Sequence, residues 1–190
     1  MTHEPSIVPV STSISSLYEA MGHGLSAFSS LESTLALIFA RLIGCKRLEM
    51  ALIAFDAINL TSPKLRVLRA VAKEHFDREA LDPASQFKRL DRLLKRVEAR
   101  AEFRIKLAHW TVSIPKLEAN DRETLTVAEQ QLVPPWFSAK NLMFVPKEGL
   151  SLAEIREFTR KTNEANRALV EYLLAIQETG LYPSRGSEDG

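Results

Sequence analysis

The 190-residue chain holds a single cysteine, Cys45, so no disulfide can form within it. That excludes a disulfide framework and favours a reducing compartment. Its four histidines and lone cysteine show no metal-ligand spacing, and its seven glycines form no phosphate-cradling loop. No metal and no cofactor are therefore expected. An uninterrupted apolar run such as Leu35 to Ala40 falls short of the ~20 residues that a membrane span needs. The opening "MTHEPSIVPVSTS" is polar and broken by Pro5 and Pro9, unlike a signal peptide. A cytoplasmic location without a membrane partner is the default expectation. Charge of one sign is missing too. With 25 basic and 24 acidic residues the net charge is +1, so any electrostatic message must come from local clustering.

What is present is the makeup of a globular domain. Hydrophobic residues at 45% and charged residues at 26% are enough for a buried core and too apolar for disorder. Residues 1–12 and 181–190 read as flexible ends around a single domain over 13–180. Apolar periodicity predicts four or five helices. The first runs from Ser13 or Ser16 to Ile43, with Gly22 and Gly24 expected to break its early turns and Gly44 to stop it. A short apolar helix follows over 47–58. Ser62 with Pro63, and Asp82 with Pro83, are start signals for two more helices. The last helix opens on "SLAE", where Ser151 and Glu154 make a capping box. Between the last two helices, residues 110–150 carry Pro115, Pro134, Pro135 and Pro146 and short alternating pieces. That composition predicts an irregular or β-hairpin insert. The fold class is thus all-α, a helical bundle with one insert.

The long helix that ends at His109 carries most of the chemistry. Phe87, Leu90, Leu94, Val97, Ala101 and Ala108 fall on one inward arc, and Arg104 falls among them. His109 lies roughly 140° away around the axis, across the small Ala108. From Ser85 to Lys106 there are eight basic residues against three acidic ones. Arg92, Lys95, Arg96, Arg100 and Lys106 are the candidates to follow a phosphate backbone. A solvated basic face is the ordinary alternative. On the first helix Glu32 sits in an apolar arc, where a carboxylate needs a partner. Arg104 is the expected one, which would make Glu32 the group that orients the guanidinium.

A helical bundle in which Arg-x4-His, here "RIKLAH" from Arg104 to His109, closes a long helix ahead of an irregular segment and a final helix resembles the HEPN superfamily. The resemblance implies a HEPN-like bundle, and RNA as substrate or ligand. It further implies metal-independent RNA cleavage by Arg104 and His109, a homodimer, and a toxin or defence role beside an antitoxin or other protein partner. Residue 105 is Ile, where the motif usually has a polar residue. The alternative reading is a non-catalytic helical interaction module, the partner or scaffold of a nuclease, toxin or sensor.

Overall fold

The computed structural model describes residues 10–45, 47–79, 82–113, 131–133 and 149–178. Five helices dominate them: α1 Val10–Leu42, α2 Leu48–Asp56, α3 Thr61–Glu79, α4 Pro83–His109 and α5 Leu152–Glu178. One short strand pair accompanies them, β1 Thr111–Ser113 with β2 Gln131–Val133, antiparallel with Val112 opposite Leu132. Leu132 also exchanges two backbone hydrogen bonds with Leu150, of 3.0 and 2.9 Å. The main architecture is all-α. Pro115, Pro134, Pro135, Pro146 and the rest of the expected insert lie outside the described residues, as do residues 1–9 and 181–190.

Packing divides the described residues into two compact units, one within Met1–Ser26 and Phe103–Arg160, the other within Ala27–Glu102 and Lys161–Gly190. The second unit holds the larger core. Leu31, Leu35 and Ile38 of α1 meet Phe55 of α2, Leu65, Leu68 and Phe76 of α3, Leu90, Leu94 and Val97 of α4, and Leu169 and Tyr172 of α5 in one buried cluster. Within it, the Thr34 hydroxyl donates to Asn166 Oδ1 at 2.7 Å, so a polar pair crosses from α1 to α5 with its hydrogen bond made. The first unit buries Leu17 and Ala20 of α1, Leu107 of α4, Leu132, Leu150, and Ile155 and Phe158 of α5. Phe103 stacks on Phe158, ring centroids 4.6 Å apart.

Several local signals act as the sequence predicts. Asp82 Oδ1 accepts from the Ser85 N–H at 3.2 Å, and Pro83 begins α4. Glu154 accepts from both the Ser151 N–H and hydroxyl, while Ser151 Oγ accepts from the Glu154 N–H, which closes the capping box of α5. Gly44 ends the α1 segment at φ +63°, a conformation that disfavours any residue with a Cβ.

Other expectations are corrected. Gly22 and Gly24 do not break α1, which runs on through both and already includes residues 10–12. Gly24 is closely approached instead: a Cβ there would stand 2.9 Å from Leu107 Cδ1 and 3.3 Å from Thr159 Oγ1. The helix tolerates the residue because neighbours pack onto it. Further, Ile14–Leu42 is long and apolar enough to cross a membrane by length and composition, and half of its most apolar window is buried by the rest of the protein. Counting only unbroken apolar runs misses this, because interspersed Ser, Thr and Gly lower the mean hydropathy little.

Candidate nucleic-acid interface

On α4 the buried side is drawn by Leu90, Leu93, Leu94 and Val97, so the residues opposite must face water. Lys88, Arg89, Arg92, Lys95 and Arg96 are all exposed, and Arg100 is half-buried. Two acidic residues of the same helix, Asp91 and Glu98, are turned to α3. Arg69 of α3 donates to Asp91 at 2.9 Å and to Glu98 at 3.0 Å, and Lys95 reaches Asp91 at 2.9 Å. The hydrogen bond from Lys95, and then that from Arg69, holds the Asp91 carboxyl below its ordinary pKa against the opposing effect of burial.

What remains is a row of cations at four-residue steps: Lys88, Arg92, Arg96, Arg100. Each step rises about 6 Å along the axis and turns by about 40°, so the row winds slowly around the helix. Lys88, Arg92 and Arg96 have no carboxylate partner among the described residues. Arg100 donates to the Arg96 carbonyl. Its pKa is lowered by burial and then by the charge of Arg96, with Glu164 acting the other way. Like charges at i and i+4 destabilise a helix, so the row is a strain on the isolated protein that a polyanion would relieve. Of the residues picked from the sequence, Arg92, Arg96 and Arg100 belong to this row and Lys95 does not. Lys88 completes it; the four-residue spacing is the signal that finds it. Lys106 lies on the α4 segment of the other unit, its ammonium 5.4 Å from the Trp110 ring centroid.

Arg104 and His109 both sit on the last turns of α4. Arg104 is half-buried and His109 exposed, and neither has a hydrogen-bond or ion-pair partner among the described residues. Five helical positions set them roughly 140° apart, so they diverge rather than converge. The inward position expected for Ala108 is corrected: Ala108 is exposed, and Leu107 takes the buried position by packing at Gly24. Ile105 is 52% exposed.

Glu32, expected to need a partner, has cationic and hydroxyl neighbours on α3. Its carboxylate lies 3.8 Å from Lys64 Nζ and accepts from the Thr61 hydroxyl at 3.5 Å. Lys64 is nearly buried, with its ammonium 3.7 Å from Asp56 and 5.6 Å from the Phe55 ring centroid. A lysine can run its aliphatic stem through an apolar contact and deliver its charge at the far end. Lys64 therefore meets Glu32 from the first turn of α3.

Comparison with family models, curated proteins and solved structures returned no match. The class the fold defines is thus an all-α helical protein, and its surface chemistry is the only guide to what it does.

Proposed function

We propose that this protein is a HEPN-like RNA-binding protein of the cytoplasm, with α4 as its binding element. The carrying observation is the row Lys88, Arg92, Arg96 and Arg100, left with too few carboxylates while Asp91 and Glu98 are held by Arg69. A regularly spaced row of cations suits the regularly spaced charges of a phosphate backbone. The finer proposal is cleavage at Arg104 and His109. In it the RNA 2′-oxygen bonds to the adjacent phosphorus as its proton passes to a base, and the bond from phosphorus to the 5′-oxygen breaks as that oxygen takes up a proton. The products are a 2′,3′-cyclic phosphate and a 5′-hydroxyl. His109 is exposed and has the ring to move one of these protons. Arg104 has the fork to hold the non-bridging oxygens. Because the two diverge on one helix, cleavage calls for groups from a second copy.

The second reading, a non-catalytic interaction module, is favoured by Ile105, whose apolar side chain stands exposed where the motif usually has a polar group.

Binding of a labelled single-stranded RNA, followed by anisotropy, tests the proposal. Replacing Arg92 and Arg96 by Glu together is expected to abolish binding; retention of the wild-type affinity would remove the row from the interface. Cleavage is assayed in EDTA with cyclic phosphate ends as the readout. His109→Ala is expected to stop cleavage and leave binding intact. If wild type and Ile105→Asn both bind RNA without cutting it, the protein is a binder only. If neither binds, the interaction module stands.

A further inference from the structure

The side chains around the α4 row bear on which part of a nucleic acid it can read, an inference that rests on the RNA-binding reading. Between Ser85 and Arg100 every exposed side chain is Lys or Arg except Ser85, Glu98 and Ala99. Reading bases takes other chemistry. Stacking takes an open aromatic face, and the amino groups of adenine, cytosine and guanine need acceptors. The proton of a 2′-hydroxyl needs one as well. Lysine and arginine only donate.

The acceptors and rings nearby are already engaged. Asp91 is held by Arg69 and Lys95, and Glu98 by Arg69. Gln86 is half-buried one turn before the buried Leu90, on the inward side of α4. Phe87 packs against the core, and the buried Tyr172 ring of α5 is covered by the Arg89 guanidinium, 5.4 Å from its centroid. Arginine has one further option, since its planar fork can stack on a base or grip guanine. Here Arg92 Nε donates to the Lys88 carbonyl at 3.4 Å, and Arg100 Nη1 donates to the Arg96 carbonyl. Both guanidinium groups are thereby drawn back along their own helix.

We infer that the row holds a nucleic-acid strand by its phosphates alone, blind to base and to sugar. Its ligand class is then single-stranded nucleic acid in general, DNA as well as RNA. Anisotropy with the full chain tests this, using one mixed sequence made as RNA and as DNA. The two are expected to bind with equal affinity and parallel salt dependence, because a neutralised phosphate releases counterions alike in either single strand. Inorganic polyphosphate, which has neither base nor sugar, is expected to displace both. Arg92→Lys together with Arg96→Lys is expected to keep the wild-type affinity. A point charge serves a phosphate, whereas a fork that stacks on or grips a base has no substitute in lysine. RNA bound much more tightly than the matching DNA overturns the inference and leaves the RNA-binding reading in place. Loss of RNA affinity in the double lysine variant, with its melting unchanged, overturns it in the same way. If neither nucleic acid binds, the RNA-binding reading itself falls and takes this inference with it.

Discussion

Gly22 and Gly24 stand two positions apart on the same helix and have opposite roles. A Cβ at Gly22 would meet nothing within 4 Å, whereas one at Gly24 would press on Leu107, Thr159 and Phe158. Glycine costs a helix interior roughly 0.5–1 kcal/mol relative to alanine. Gly22→Ala is therefore expected to stabilise the protein by about that amount. Gly24→Val is expected to destabilise it by about 1–3 kcal/mol, because the added methyls force Leu107 out of a packed position. Urea unfolding of the two variants checks the contrast, and equal shifts for both would contradict the close approach at Gly24. A pattern search reads both glycines as helix breakers, since it cannot know what packs against either one. The same limit hid Lys64. Its type says surface, and only the apposition of α3 to Phe55 and Glu32 makes it an inward-reaching cation.

Helix ends are legible where their signals are local. Asp82 with Pro83 at α4, and Ser151 with Glu154 at α5, need only residues three apart to satisfy free N–H groups. The start of α3 is less legible, because it begins at Thr61 rather than after Ser62, and the Thr61 hydroxyl is drawn to Glu32, 29 residues away in sequence. The last turns of α4 follow the same rule. Periodicity assigns Ala108 inward by extending an ideal arc, but contact with Gly24 selects Leu107. Local capping also gives a pH signature. Hydrogen bonds from Ser151 hold the Glu154 carboxyl below its ordinary pKa. A carboxyl depressed in the folded state contributes stability above its unfolded pKa and loses that contribution as pH falls through the folded value. Ser151→Ala is thus expected to cost about 1 kcal/mol at neutral pH. The gap from wild type should narrow in acid, below the carboxylate range, where protonated Glu154 accepts these bonds poorly. Urea midpoints at the two pH values measure it. A gap of constant size would mean that the carboxylate charge adds nothing to this cap.

At the scale of the whole molecule, a net charge of +1 conceals a strong separation of charge. Asp91 and Glu98 are turned to Arg69, and Lys88, Arg92 and Arg96 of α4 are left to face water without them. Such a division is costly in the free protein, and under the proposed RNA binding stability and binding should respond to it with opposite signs. Arg96 is the residue on which to test this, because it stands between Arg92 and Arg100 and its charge helps lower the pKa of Arg100. Arg96→Gln removes two like-charge pairs at four-residue spacing, each worth roughly 0.2–0.5 kcal/mol of repulsion. The melting temperature should therefore rise slightly. RNA binding should weaken at the same time. For single strands the logarithm of affinity falls with the logarithm of salt concentration by about 0.7 for each phosphate neutralised, so four row cations give a slope near −3 and the variant should lose about 0.7 of it. A residue that merely supported the fold would lose stability and binding together and leave the slope unchanged. A variant that is more stable, binds RNA less tightly and has a shallower salt dependence is the outcome expected only of a row built to meet phosphates.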